Sequence, residues 1–305
     1  MDKQMQYVRM SDGHEVFVTT FTPKEQVVGH FHILHGMAEH STRYTSFAEM
    51  LCEHGYFVSM HDHRGHGNTV DQNGQLGYFG EQNGFARVVK DVFDVLQTIR
   101  QGRNLPPVTL FGHSMGSFIA RRYIQLYSST LQDVIICGTG ATTRLHYVGN
   151  RLAKALAKTQ GPLEKSHLMN DLSFGSFNQS FSNVKTSFDW LCSDQEEVQK
   201  YIADPKCGFI ATNQFFADLT DGLILINKKG ENSRIRPDLP VLFISGSEDP
   251  VGDKGKGVFQ VAQQMTESGV ESVSVYLFEG MRHEILKEPN KQHAYDIILR
   301  WLKND

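Results

Sequence analysis

The sequence predicts an α/β protein: a mostly parallel sheet covered by helices on both faces and interrupted by one long helical insertion. Three observations predict it. Segments with strand character alternate with segments of helical periodicity before residue 138 and again after residue 237. Residues 139–236, lying between, show no such alternation. Near the middle, residues 108–127 read as a strand driven into a helix through one tight turn. Strands alternating with helices require crossover connections, and those place helices over both faces of a parallel sheet.

In chain order, residues 15–21 and 27–34 alternate apolar and polar side chains on either side of Pro23, as two strands joined by a turn do. The second runs into His35-Gly36-Met37. Residues 44–54 read as a helix stopped by Gly55, and 56–60 as a short strand that ends at His61-Asp62-His63-Arg64-Gly65-His66-Gly67. Phe85, Val88, Val92, Leu96 and Ile99 share one face of a helix over 85–100. Residues 108–111 are apolar and follow Pro106-Pro107, which suits a buried strand; after Gly116, Ile119, Tyr123 and Tyr127 return at helical spacing. A strand at 134–137 precedes the insertion. Beyond Pro237 and Pro240 come a strand at 241–245, a helix at 258–265, a strand at 272–278 and a helix at 291–302. The core is therefore assigned to 1–138 and 237–305, and the cap to 139–236.

Composition narrows the function. With 34 acidic and 30 basic residues the chain carries no basic footprint for nucleic acid, and small neutral or amphipathic substrates fit better. Cys52, Cys137, Cys192 and Cys207 lack Cys-x-x-Cys spacing and read as reduced thiols, which favours a cytoplasmic protein. The first residues hold no apolar signal core, and nowhere do the roughly 18 apolar residues of a membrane span run together.

The turn at the centre is Gly112-His113-Ser114-Met115-Gly116. Its two glycines flank a corner too tight for side chains, so Ser114 stands proud of the sheet as a nucleophile. A serine hydroxyl needs a histidine to take its proton and a carboxylate to fix that histidine's tautomer. In such a sheet functional groups gather at the carboxyl ends of strands. His283 lies just beyond the last strand and Asp249 just beyond the one before it, so Ser114, Asp249 and His283 are the assigned triad. Glu248 and Asp253 are rival acids, and His293 a rival histidine. Backbone N–H groups of Met115 and Met37 are the expected oxyanion donors, Met37 because His35-Gly36 resembles the His-Gly turn of lipases and esterases.

The histidine-rich turn superficially matches His-x-His-x-Asp-His, a dinuclear zinc signature, but Gly65 stands where the acid is required. No metal is expected there. Asp62 and Arg64 are instead expected to brace the loop beside the nucleophile. In the cap, Leu145, Val148, Leu152, Ala155 and Leu156 form an apolar stripe opposite Arg144, Arg151, Lys154 and Lys158. That pattern packs on its own domain or rests on a lipid surface. Phe174, Phe177, Phe181, Phe188, Phe209, Phe215 and Phe216 either line an apolar tunnel or fill the cap's own small core.

Four motifs, spread from about residue 27 to 301, resemble the monoacylglycerol lipase and bacterial lysophospholipase branch of the α/β-hydrolases, the serine aminopeptidase S33-type enzymes. They are His35-Gly36-Met37-Ala38-Glu39-His40-Ser41 with Arg43-Tyr44; Asp62-His63-Arg64-Gly65-His66-Gly67; the serine turn; and Gly280-Met281-Arg282-His283-Glu284. The resemblance implies eight strands, a helical cap between the sixth and seventh, and hydrolysis of a single acyl ester of a monoacylglycerol or lysophospholipid without cofactor. The bulky Met37 and the pair Asn68-Thr69 depart from it. An esterase for short acyl groups and an amidase or aminopeptidase remain as alternatives, the latter because Asp171, Asp189, Asp194, Glu196 and Glu197 could grip a substrate amine. A non-catalytic receptor on the same scaffold is the third class, which the complete triad argues against.

Overall fold

The computed structural model describes residues 1–303. The elements run β1 (Asp2–Arg9), β2 (Glu15–Thr22), β3 (Gly29–Leu34), α1 (Thr45–Glu53), β4 (Tyr56–His61), α2 (Thr69–Asn73), α3 (Gly84–Arg100), β5 (Val108–His113), α4 (Met115–Tyr127) and β6 (Leu131–Cys137). Four helices follow, α5 (Arg144–Thr159), α6 (His167–Phe174), α7 (Gln195–Ala203) and α8 (Asn213–Ile226). The chain closes with β7 (Val241–Gly246), α9 (Lys256–Glu267), β8 (Val273–Phe278) and α10 (Lys291–Lys303).

The strands form one sheet in the order β1-β2-β4-β3-β5-β6-β7-β8, antiparallel at β1-β2 and β2-β4 and parallel from β4 onward. This is the α/β-hydrolase fold. Every residue of β4, β5 and β7 is buried, which is why these strands read as continuous apolar runs. On one face Phe47 and Leu51 of α1 pack with Ile298 and Leu299 of α10. On the other, Val88 and Val92 of α3 pack with Ile119 and Ile124 of α4 and Val261 of α9.

Helix α8 joins that second layer. Phe215 and Phe216 are 0% and 1% exposed, and burying a phenylalanine stabilises by about 1.5–3 kcal/mol, so the end of the insertion is part of the main core. Helix α5 packs on α8 through its small face: Asn150 and Ala153 are buried, and Asn150 Nδ2 donates to Thr220 Oγ1 (3.0 Å). The predicted stripe therefore divides. Leu152 and Leu156 rest on the core, whereas Leu145 and Val148 are 78% and 64% exposed.

Some elements differ from expectation for local reasons. β1 is an edge strand with only Val8 buried, so it carries no alternation to read. β3 starts at Gly29, because Val28 N–H is taken by Gly55 O (2.9 Å) before the pairing of Gly29 with Tyr56 begins. Tyr44 belongs to a 3₁₀ turn, Ser41–Tyr44, ahead of α1. No helix among the described residues is long and apolar enough to cross a membrane.

Candidate active site

β5 ends at His113 and α4 begins at Met115, so Ser114 alone makes the corner. Its backbone sits at φ +53°, ψ −119°, a region that a side-chain-bearing residue holds only where its surroundings force it. Here Ser114 N–H donates to Cys137 O (2.9 Å) and Ser117 N–H donates to Ser114 O (2.8 Å). The flanking glycines permit the approach: a Cβ on Gly112 would lie 2.3 Å from Gly116 O, and one on Gly116 2.3 Å from Leu34 O. Ser114 is half-buried while residues 111–113 and 115–117 are fully buried, so the corner presents that one side chain outward.

His283 Nδ1 lies 2.9 and 3.0 Å from the two carboxylate oxygens of Asp249. Asp249 also accepts from Ser245 Oγ (3.1 Å) and Val251 N–H (2.9 Å). Burial disfavours the Asp249 carboxylate, but the charge and hydrogen bond of His283, with the Val251 N–H, hold its pKa below the ordinary range. Burial likewise opposes the His283 imidazolium; the Asp249 charge and hydrogen bond overcome it and raise that pKa. A neutral His283 that donates from Nδ1 leaves Nε2 as its acceptor. The rival acids stand apart. Glu248 pairs with Lys254 at the surface (2.8 Å), and Asp253 is exposed beside Lys256 (3.9 Å). His293, on α10, faces the Tyr276 OH of β8 (2.8 Å).

Ser114, His113 and His283 open onto a cavity of about 540 Å³, together with Gly36, Met37 and Glu284. The insertion supplies its roof: Phe174, Val184, Phe188, Trp190, Leu191 and Phe209 line it, with Asn170, Asn178 and Lys185 among the polar groups. Phe174, Phe177, Phe181 and Phe188 also pack on a small cluster around Trp190 and Val198, so the cap phenylalanines divide between cavity wall, cap core and, at Phe215 and Phe216, main core. The Trp190 ring lies 5.1 Å from that of His283, and Glu284 N–H donates to Leu191 O (2.7 Å). Of the five cap carboxylates that could hold an amine, only Asp171 lines the cavity. Asp189 accepts from Lys185 N–H and Thr186 Oγ1, Asp194 caps α7, and Glu197 pairs with Lys200.

Around Gly36 and Met37, a polar frame holds the chain. His35 donates from Nδ1 to Gly36 O (2.7 Å) and accepts the His63 N–H at Nε2 (3.0 Å). Gly36 N–H donates to Glu39 Oε1 (2.6 Å), and a Cβ on Gly36 would sit 2.7 Å from that oxygen and 3.1 Å from Ser114 Cβ. Glu39 also accepts from Tyr44 OH (2.8 Å) and Arg43 (2.6 Å). Burial disfavours the Glu39 charge, yet Arg43 above all brings its pKa down to about 2. Sequence reasoning named Glu39 and Arg43 only as parts of a motif; nothing in their types or spacing signals that they are buried.

Asp62 accepts Ser41 N–H (2.8 Å) and Asn68 N–H (2.7 Å), bracing the segment that carries Gly36 and Met37. Arg64 points elsewhere, to Asp91 on α3 and Asp12 in the β1-β2 turn, so it ties the histidine-rich turn to the far side of the core. The turn's imidazoles pack against one another, with the His61 and His63 ring centroids 4.7 Å apart edge to face. His61 meets His32 (3.0 Å), His66 donates to Arg64 O (2.8 Å), and both ring nitrogens of His63 are buried without a partner among the described residues.

A family model described as serine aminopeptidase, S33, matches residues 25–290. The chain is 24% identical over 293 residues to a monoacylglycerol lipase of Mycolicibacterium smegmatis, covering 95% of this chain and 93% of that protein. It is 25% identical over 280 residues to the monoglyceride lipase of Rattus norvegicus, covering 91% and 82%. A thermostable carboxyl esterase from Bacillus coagulans, solved with glycerol, superposes with a TM-score of 0.93 at 25% identity, over 100% of this chain and 99% of that one.

Proposed function

The chain belongs to the serine aminopeptidase S33 family of α/β-hydrolases, and we propose that it is a serine carboxylester hydrolase acting on single-acyl-chain lipid esters, monoacylglycerols or lysophospholipids. The observation that carries this reading is the aromatic cavity of about 540 Å³ over Ser114 and His283: its cap supplies one lining carboxylate, Asp171, and the two from the core, Glu39 and Glu284, are both held by Arg43, which leaves no free cluster to anchor an amine. Within residues 139–236, the part before α8 acts as the cap, since every cavity-lining residue of the insertion lies there.

In this mechanism His283 Nε2 takes the Ser114 hydroxyl proton as Oγ adds to the ester carbonyl. The Asp249 carboxylate, fixed by Ser245 and Val251, holds the resulting imidazolium. The N–H groups of Met37 and Met115 receive the oxyanion, the first set in place by Glu39 through Gly36. Collapse of the tetrahedral intermediate expels the alcohol, which takes the proton from His283. Water then adds to the acyl-enzyme by the same route and releases the fatty acid and Ser114.

The exposed Leu145 and Val148 at the start of α5, beside Arg144 and Arg151, are the cap's contact with a lipid surface. Four buried, unpaired cysteines fit a reducing, cytoplasmic setting. The test of substrate class is hydrolysis of acyl esters graded from acetyl to long chain, beside aminoacyl amides and a triacylglycerol. A medium or long monoester outruns the acetyl ester, the amides and the triacylglycerol. Faster cleavage of acetyl esters or of amides overturns the reading.

A further inference from the structure

Behind the cavity wall, at the seam between the insertion and the Gly36-Met37 segment, lies a cluster that the proposed reaction does not use. His40, Asp204 and Cys207 each bring one donor atom within 4.8 Å of the others. Ala38, Tyr201 and Gly208 line the cavity beside them, while these three do not.

The cluster is built like a coordination site. Asp204 and Cys207 are separated by two residues in a turn closed by Cys207 N–H to Asp204 O (3.0 Å), the spacing of the Cys-x₂-Cys half-sites that hold zinc. Lys206 N–H donates to Asp204 Oδ1 (2.8 Å), which orients the carboxylate so that Oδ2 meets His40 Nε2 (2.8 Å). The other ring nitrogen, His40 Nδ1, lies 2.5 Å from Thr42 Oγ1, the outer partner that fixes the orientation of a ligating imidazole. Neither neighbouring cation intrudes: Arg43 is spent on Glu39 and Glu284, and Lys206 on Asn68 and Asp71. Cys207 is 8% exposed, whereas the Asp204 side chain is 32% exposed and opens a path for an ion.

We propose that His40 Nε2, Asp204 Oδ2 and Cys207 Sγ bind one thiophilic divalent cation of the zinc class, with water as the fourth ligand. Binding releases the Cys207 thiol proton and breaks the His40 Nε2–H hydrogen bond to Asp204 Oδ2, and the ring proton moves to Nδ1, where it is donated to Thr42 Oγ1. A nitrogen, an oxygen and a sulfur donor suit zinc and exclude a hard ion such as magnesium. The bound ion fastens the 204–208 turn to His40. That turn already grips the segment carrying Met37, because Gly208 N–H and Tyr201 OH both donate to Ala38 O (2.9 Å each).

The test is titration of the chelator-treated full chain with cobalt(II), followed by its absorption, and with zinc, followed by thermal unfolding. One equivalent of cobalt gives a thiolate-to-metal charge-transfer band, which is absent in Cys207→Ser. His40→Gln weakens cobalt binding at least tenfold while its circular dichroism stays that of the parent. Zinc at a hundredfold excess over its dissociation constant raises the melting temperature by about 5 °C, and His40→Gln cuts that rise to about half or less at the same concentration. No charge-transfer band, a band that persists in Cys207→Ser, or cobalt affinity unchanged in His40→Gln overturns the proposal.

Discussion

Arg43 forks onto Glu284 with contacts of 2.5 and 2.8 Å across 241 residues of sequence, and its Nη1 also holds Glu39. One guanidinium thus joins the segment carrying Met37 to the residue after His283. Both carboxylates act to raise the His283 pKa, after the dominant contribution of Asp249. Glu39→Gln keeps an acceptor for Gly36 N–H and removes one of those charges. The acid limb of kcat/KM therefore moves to lower pH, and kcat falls about tenfold with little change in KM. An unmoved limb contradicts the coupling.

Asp249→Asn presents His283 with an amide in place of the carboxylate that fixes its tautomer. kcat falls by about 10³–10⁴. Glu248→Gln, which breaks only the surface pair with Lys254, stays within about twofold, because exposed pairs contribute roughly 0–1 kcal/mol. Steady-state kinetics of the two variants decide it, and a reversed order moves the role to Glu248.

Stability falls steeply on acidification. His30, His32, His35, His61, His63, His66 and His113 all have pKa values pushed down, first of all by burial, to about 3 for His30 and His66 and about 4 for His35 and His113. The folded chain keeps them neutral while the unfolded chain takes up protons near pH 6.5. Their contribution is fully present above about pH 6.5 and is lost as pH falls toward the folded values, at about 1.4 kcal/mol per pH unit each. Asp91, Asp133 and Asp218, raised by burial, the last two to about 6, pull the other way but are fewer. The urea midpoint drops sharply between pH 6.5 and 5, and His63→Phe lessens the slope. A midpoint level across that range contradicts the account.

In the proposed function the cap aromatics read acyl length. Each methylene taken from water contributes about 0.8 kcal/mol, so two added carbons raise kcat/KM roughly tenfold until the cavity is full. Phe174→Ala and Phe209→Ala flatten that rise with medium-chain esters and leave acetyl esters nearly unchanged. An equal loss at every chain length points to damage elsewhere. Removal of the whole insertion is not an equivalent test, because it strips Phe215 and Phe216 from the main core.

The parallel sheet was legible because its strands are buried on both faces and read as apolar runs between periodic helices. The positions of Ser114, Asp249 and His283 followed from strand ends and chain order, and the contact of Asp249 with His283 is the one expected. β1 escaped because an edge strand with one buried residue leaves no pattern. The insertion resisted because its helices take their faces from what they cover. Helix α5 packs through Asn150 and Ala153, small residues that a search for large apolar side chains passes over, and so exposes Leu145. Arg64 stands in the histidine-rich turn expected to brace the loop beside the nucleophile, but its length lets it reach Asp91 and Asp12 instead.

The central claim is that Ser114 carries the acyl group, and active-site labelling with a fluorophosphonate, read by intact mass and peptide mapping alongside turnover, tests it most directly. One adduct forms, on Ser114, in step with loss of hydrolysis, and Ser114→Ala takes no label and turns over nothing while its thermal unfolding matches the parent. An adduct on another residue, or hydrolysis by Ser114→Ala at rates near those of the parent, contradicts the account.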